Sequence, residues 1–145
     1  MFNDRGAAHG AKGQYDLAIL DYDQALALAP ENAMALSNRC FAKAVAGRIE
    51  EALTDCDESL RLRRDDANTL ASRGFANLKL GRTEAAIADY DAEIKITGGT
   101  AYTLFGRGLG RRLKGDLPGS NADMAAATKI NADISEAMAK LGVRL

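Results

Sequence analysis

Ionisable residues recur along this chain at a fixed interval of 34 residues. One arginine and one aspartate occupy every unit of the repeat, and they are Arg5, Arg39, Arg73, Arg107, Asp21, Asp55, Asp89 and Asp123. Each aspartate follows its arginine by sixteen residues. Because buried charges are rarely left unpaired, we expect a structural ladder in which each arginine meets an aspartate of its own or the preceding unit. The alternative is a row of arginines that faces an acidic ligand.

The chain offers little else for catalysis or metal binding. His9 is the only histidine, so we expect no histidine-rich metal site and at best one candidate base. It shares its repeat position with Lys43, Asn77 and Arg111, which we interpret as a polar helix face. No nucleophile, base and orienting residue recur together. We therefore expect no enzyme activity, no metal and no cofactor.

The two cysteines, Cys40 and Cys56, are too few for a disulfide framework. Both stand at repeat positions that belong to the core, where a free cysteine acts as a small hydrophobic residue. Pairing of antiparallel helices would place Cys56 closer to Leu36 than to Cys40. We therefore predict two free thiols.

The elements that position these residues are pairs of helices. A glycine column, Gly13, Gly47, Gly81 and Gly115, separates two periodic segments in each unit. A residue in the left-handed conformation can end a helix there at little cost if it is glycine. In the third unit, Ala86, Ile87, Tyr90 and Ile94 form the apolar stripe of an amphipathic helix. The sequence thus predicts an all-α protein of antiparallel helix pairs.

These motifs resemble the tetratricopeptide repeat. The resemblance is carried by Gly13, Tyr15, Ala18, Tyr22, Ala25, Pro30, Gly74, Gly81, Ala86 and Tyr90. The segments SRGFA and AAIADYDAEI are similar to the variety common in bacterial proteins. The resemblance implies a right-handed superhelix, an α-α solenoid, that binds peptides or proteins in a concave groove. The chain departs from the family pattern where Cys56 and Met124 replace an aromatic residue, where Ser120 replaces an alanine, and where Arg64, Gly98 and Ala132 replace the closing proline.

The period divides the chain into four units within a single domain, 1–145. We expect a truncated first repeat at 1–32, full repeats at 33–66, 67–100 and 101–132, and a capping helix with a tail at 133–145. Met1 falls inside the first helix of the pattern, so either an upstream segment has been removed or that helix is short. We expect Asp133 to cap the last helix, with Glu136 in capping-box register.

Glycines in the second half of the chain set two further expectations. Gly98 and Gly99 replace the usual short turn, and we expect that junction to be looser than the others. Gly108 stands at a repeat position that small residues occupy in every unit, namely Gly6, Cys40 and Gly74, and this explains it. Close packing explains Gly110. The sequence gives no structural reason for Gly106.

The resemblance also implies which residues line the groove, since the first helix of each pair faces it. The partner-binding set would be Asn38, Phe41, Val45, Ser72, Phe75, Lys79, Tyr102, Phe105 and Leu109. An exposed apolar row with polar edges suits a bound peptide. The alternative is that the aromatic rings only pack between adjacent first helices. Of the residues that a related subtype uses to grip a chaperone C-terminal carboxylate, only Asn38 matches here.

We therefore expect an interaction module whose partner is an unidentified protein or peptide. A net charge of −1 argues against general nucleic-acid binding, and no apolar run reaches the length of a membrane span. One alternative is a self-association or scaffold module, which forms a homodimer through the exposed N-terminal face. The other is the non-catalytic part of a longer protein. The sequence favours a cytoplasmic location, or a periplasmic one if an upstream signal has been removed.

Overall fold

The computed structural model describes residues 1–144, and over that range the chain forms nine α-helices and no strand. The helices are α1 Phe2–Ala11, α2 Tyr15–Leu28, α3 Ala33–Val45, α4 Ile49–Leu62, α5 Ala67–Leu80, α6 Thr83–Thr97, α7 Ala101–Leu113, α8 Leu117–Ile130 and α9 Ile134–Lys140. None of these helices is both long and apolar enough to cross a membrane.

Glycines end the first helix of every pair. The four glycines of the turn column have φ angles of 76°, 89°, 83° and 86°, and they are Gly13, Gly47, Gly81 and Gly115. Only glycine adopts this left-handed conformation at little cost. Helices α3, α5 and α7 begin at side-chain caps, where Asn32, Asp66 and Thr100 accept hydrogen bonds from backbone N–H groups.

The helices pack in chain order as adjacent pairs. Each odd-numbered helix contacts the even-numbered helix that follows it, and each even-numbered helix contacts the next odd one. The largest core cluster extends from Cys40 of α3 to Val143 after α9, and its most buried large residues include Phe105, Ile134 and Met138. This arrangement confirms the predicted all-α solenoid of four helix pairs followed by a short helix.

The prediction of free thiols is wrong, because Cys40 and Cys56 form a disulfide between α3 and α4, with their Cα atoms 5.5 Å apart. The equivalent residues in the third unit are Gly74 and Tyr90. A Cβ added to Gly74 would lie 3.0 Å from the Tyr90 ring. The two positions therefore face each other across the helix pair. The expectation that Cys56 lies closer to Leu36 than to Cys40 is wrong for this reason.

Gly106 has a structural reason after all. A Cβ at this position would lie 2.5 Å from Cζ and 2.6 Å from the hydroxyl oxygen of Tyr90. The ring of Tyr90 is therefore enclosed between Gly74 of α5 and Gly106 of α7. No other residue type would leave room for this ring so close to the α7 backbone.

The last helix, α9, packs on α7 and α8 and buries Ile134 and Met138. Asp133 stands at its N-cap position, but the Asp133 side chain makes no capping hydrogen bond. Instead, the backbone N–H of Asp133 donates to the side-chain oxygen of Asn131 at 2.9 Å. The predicted capping box with Glu136 is therefore absent, and apolar burial holds α9 in place.

Candidate functional site

A groove of about 700 Å³ follows the faces of the odd-numbered helices. Its walls include residues of α1, α3, α5, α7 and α9, together with side chains from α2 and α6. It therefore spans the whole stack of helix pairs. A cleft of this volume is within the range of ligand-binding sites in proteins.

Aromatic rings form a row along this groove. The ring centroids of Tyr15 and Phe41 are 6.2 Å apart, in an edge-to-face arrangement. The rings of Phe41 and Phe75 follow at 5.2 Å. Further along the groove, Tyr102 is 48% exposed. In this row Tyr15 and Phe41 are partly exposed, Phe75 is only 4% exposed and belongs to the main core, and Tyr102 is the ring most open to solvent.

Neutral polar groups lie beside the aromatic row. Asn38 donates a hydrogen bond to the side-chain oxygen of Asn3 at 3.2 Å. Asn68, Ser72 and Thr103 also line the groove. Among the lining residues that the structure describes, none is a lysine, an arginine or a histidine. The groove is therefore not built to attract an acidic ligand.

The structure brings five of the nine predicted partner-binding residues to the groove wall, namely Asn38, Phe41, Ser72, Phe75 and Tyr102. The other four lie outside the lining. Phe105 and Leu109 are only 2% and 7% exposed and belong to the main core. Val45 packs against the same core. These apolar side chains therefore pack in or against the main core and do not line the groove.

Lys79 is the fourth residue outside the groove lining. Its ammonium group donates to the backbone oxygens of Ala44 at 3.0 Å and Leu141 at 3.3 Å. It also lies 5.5 Å from the centre of the Phe75 ring. Burial lowers the pKa of this lysine. The ammonium group of Lys79 on α5 therefore links α3 to the end of α9, and its hydrogen bonds are made within the chain.

Glu93 of α6 also lines the groove and is not among the residues that the sequence predicts there. Its side chain is 3% exposed; Oε1 accepts a hydrogen bond from the Thr97 hydroxyl at 2.7 Å, and the buried Oε2 has no hydrogen-bond partner. A signal for Glu93 was present in the sequence. The equivalent residues of the other units are small, namely Ala25, Ser59 and Ala127. A carboxylate in such a column is unusual because burying a charge is costly.

Tyr90, which the sequence places in the apolar stripe of an amphipathic helix, also lines the groove. Its hydroxyl takes the place that a side chain at position 106 would occupy. Burial raises the pKa of this phenol far above its ordinary value, and the nearby carboxylates of Asp89 and Glu93 raise it further. The phenol of Tyr90 is therefore neutral at ordinary pH.

The arginines and aspartates form a ladder on the helix pairs. In each unit the arginine contacts the aspartate sixteen residues later, at 2.6 to 3.2 Å. The aspartates are buried, and Arg39 grips Asp55 through both Nε and Nη2. The ladder is a structural feature of each helix pair, because its charges are paired with one another.

A second set of aspartates links neighbouring units. These aspartates are not among the ladder residues that the sequence predicts. Nη1 of an arginine reaches back to the preceding unit, and the pairs are Arg39–Asp23 at 2.8 Å, Arg73–Asp57 at 3.1 Å and Arg107–Asp91 at 2.9 Å. The signal is the second aspartate of the DYD motif. The last unit has Ala125 at that position, and the arginine that would follow is replaced by Leu141.

The column that contains His9 is not a solvated polar face. Lys43 contacts Asp55 at 3.1 Å, Asn77 donates to Asp89 at 3.1 Å, and Arg111 donates to Asp123 at 2.9 Å. Lys43 and Asn77 are only 7% and 5% exposed. In the second, third and fourth units this column supplies a further partner for the ladder aspartate, because it lies one helical turn after the arginine.

In the first unit the residue of this column, His9, makes no hydrogen bond to the ladder aspartate. Nε2 of His9 lies 3.6 Å from Oδ2 of Asp21, and that buried oxygen has no hydrogen-bond partner. Within residues 1–144, no group of three or more histidine, cysteine, aspartate or glutamate side chains is arranged to hold a metal ion.

Comparison with known proteins agrees with this architecture. Residues 1–32 match the family model described as "Tetratricopeptide repeat". The fold of nearly the whole chain is similar to a thermophilic tetratricopeptide-repeat protein of Thermus thermophilus. That similarity covers 97% of this chain and 79% of the other, at 20% identity and a TM-score of 0.84. The chain has the tetratricopeptide-repeat fold.

Two further repeat domains resemble this chain at 26% identity. The Sgt2 domain of Aspergillus fumigatus has a TM-score of 0.73, with 81% of this chain and 79% of that one covered. The second repeat domain of human RPAP3, solved with the HSP70 peptide SGPTIEEVD, has a TM-score of 0.68, with 76% and 92% covered. A search of curated proteins found no match to the sequence.

Proposed function

We propose that this chain is a protein-interaction module that binds a peptide segment of a partner protein in the groove. The observation that carries the proposal is the aromatic row Tyr15, Phe41 and Phe75, which lies along a groove of about 700 Å³. Aromatic surface flanked by polar groups supplies apolar contact area together with hydrogen bonds that fix orientation. The peptide-bound domain of RPAP3 has the same fold.

The proposal assigns the binding role to the five residues that reach the groove and removes four from it. Asn38, Phe41, Ser72, Phe75 and Tyr102 lie on the groove wall. Asn38 and Tyr102 are the most useful for experiments. Asn38 has a polar side chain that is partly exposed, and Tyr102 is half exposed, so neither side chain carries much of the core.

Selection of a random peptide library on the purified protein tests the proposal. The wild-type protein is compared with Asn38→Ala/Tyr102→Ala and with Leu113→Ala, which removes an exposed apolar residue outside the groove. We expect the wild-type protein and the Leu113 variant to enrich the same peptides, and the groove variant to lose them. Equal enrichment by all three proteins, each folded by circular dichroism, would contradict the proposal.

A second function, association through the first unit, has a specific observation in its favour. Leu17 and Leu20 of α2 are 45% and 59% exposed, and they flank a shallow pocket with Arg5 and His9. The later arginines of the ladder contact two aspartates, whereas Arg5 contacts only Asp21 within the described residues. Sedimentation of the wild-type protein and of Leu17→Glu/Leu20→Glu over a range of concentrations tests this function. A dimer that only the wild-type protein forms would support it.

A further inference from the structure

Glu93 places a carboxylate inside the groove without a full set of partners. It occupies a repeat position that is otherwise alanine or serine, and it is 3% exposed. One of its oxygens accepts a hydrogen bond from Thr97, and the other, Oε2, is buried without a hydrogen-bond partner. A buried polar atom of this kind is uncommon in folded proteins and requires an explanation.

No cation of the groove wall is available to neutralise Glu93. The described lining residues include no lysine, arginine or histidine, so Glu93 carries the formal charge of this wall. Lys79 lies next to the groove, but its ammonium group is held by the backbone oxygens of Ala44 and Leu141. The charge of Glu93 is therefore left for a group from outside the chain.

Aromatic residues of the same groove favour a cation as that group. The half-exposed Tyr102 lines the same groove as Glu93, whereas the ring of Tyr90, one helical turn before Glu93 on α6, is enclosed and only 2% exposed. The negative faces of aromatic rings attract ammonium and guanidinium groups. A carboxylate in a groove that also has an exposed aromatic ring is thus suited to a lysine or arginine side chain, whose carbon stem packs on the ring while its head donates hydrogen bonds.

From this arrangement we infer that the groove selects peptides carrying a basic side chain, which donates a hydrogen bond to Oε2 of Glu93. This inference rests on the proposed function, because it names the chemistry of the peptide that the groove binds. A peptide with a basic side chain would have the opposite charge to the acidic end of SGPTIEEVD, the peptide bound by the RPAP3 domain. The lining of this groove explains the reversal, since it carries a carboxylate and no cationic side chain.

The test compares peptides selected from a random dodecapeptide library by four proteins. They are the wild-type protein, Glu93→Gln, Glu93→Ala and Glu50→Gln. Glu93→Gln keeps the shape of the side chain, and Glu93→Ala restores the alanine found in the first and fourth units. Glu50→Gln makes the same charge change at an exposed residue outside the groove lining. Circular dichroism and thermal unfolding check that every variant is folded.

We expect peptides selected by the wild-type protein and by Glu50→Gln to share a lysine or arginine at one position, and peptides selected by the Glu93 variants to lack it. One selected peptide is then synthesised with that residue and with norleucine in its place. Calorimetry should show that norleucine weakens binding to the wild-type protein by about tenfold or more, while binding to Glu93→Gln changes little.

Two results would overturn the inference in distinguishable ways. In the first, the wild-type protein enriches peptides that the Asn38→Ala/Tyr102→Ala variant does not, but these peptides share no basic residue or bind Glu93→Gln as tightly as the wild-type protein. The inference then fails and the proposed function stands. If no peptide is enriched by the wild-type protein over the Asn38→Ala/Tyr102→Ala variant, the proposed function fails as well.

Discussion

Cys40 and Cys56 form a disulfide at the two positions where the third unit packs Gly74 against the ring of Tyr90. In the other helix pairs a glycine faces a large side chain at this place, Gly6 with Tyr22 and Gly108 with Met124. The second unit has thus replaced a packing contact with a covalent bond. The bond closes a loop between residues separated by sixteen positions.

The first prediction concerns this disulfide. Reduction of the wild-type protein with dithiothreitol should lower its free energy of unfolding by about 3 kcal/mol, because the bond restricts a loop of that length in the unfolded chain. The variant Cys40→Gly/Cys56→Tyr, which introduces the residue pair of the first and third units, should fold and should be insensitive to the reductant. Urea unfolding with and without reductant measures both effects. An unchanged midpoint for the wild-type protein would contradict the prediction.

The second prediction concerns the two aspartates that Arg73 contacts. Asp89 is buried and also accepts a hydrogen bond from Asn77, whereas the side chain of Asp57 is 65% exposed. Asp89→Ala should destabilise the protein by about 3 kcal/mol, because it leaves polar groups unpaired in a partly buried site. Asp57→Ala should cost less than about 1 kcal/mol, because the exposed pair is screened by water. Chemical unfolding of both variants gives the comparison, and equal losses would show that burial does not set the strength of the ladder.

The third prediction concerns the glycine that makes room for Tyr90. Gly106→Ala should destabilise the protein by about 1–3 kcal/mol, because the new Cβ would lie 2.5 Å from the Tyr90 ring. Gly10→Ala is the matched control, since its Cβ would meet only Tyr15, at 4.0 Å. That change should be neutral or stabilising by up to about 1 kcal/mol, as alanine favours the helix. Thermal unfolding distinguishes the two, and a stabilising Gly106→Ala would show that the close approach is not needed.

The fourth prediction concerns the unpaired oxygen of Asp21. His9→Arg introduces the residue that contacts Asp123 from the equivalent position of the last unit. A guanidinium at position 9 can donate a hydrogen bond to Oδ2 of Asp21. In the wild-type protein this oxygen lies 3.6 Å from His9 Nε2 and has no hydrogen-bond partner. We expect a higher melting temperature for this variant at neutral pH. The control His9→Gln changes the side chain without adding a charge. A rise of the same size in both variants would attribute the gain to something other than the ion pair.

Much of the fold could be predicted from the sequence because the repeat is regular. Gly81 marks the turn of its unit by a positive φ angle that other residues avoid. Arg73 and Asp89 recur together, and their pairing follows from the cost of burying an isolated charge. These inferences depend on backbone conformation and on charge, which residue type and spacing describe directly.

The contacts between helices could not be predicted in the same way. The sequence places Phe105 and Phe41 in similar roles, yet Phe105 lies in the core and Phe41 lines the groove. The two residues stand at different repeat positions, since Leu109 is the equivalent of Phe41, and α9 packs on α7 but makes no contact with α3. Burial of an amphipathic face depends on what packs against it, and the repeat pattern contains no record of that.

By itself, the sequence determined the helix pairs, their turns and the charged ladder, since each depends on interactions repeated with a fixed period. The tertiary structure alone decided which side chains reach the groove, that Cys40 bonds to Cys56, and that Glu93 is buried with a free oxygen. These features arise where one unit departs from the others. At such places the outcome is set by distances of a few ångströms between elements, which residue spacing along the chain does not fix.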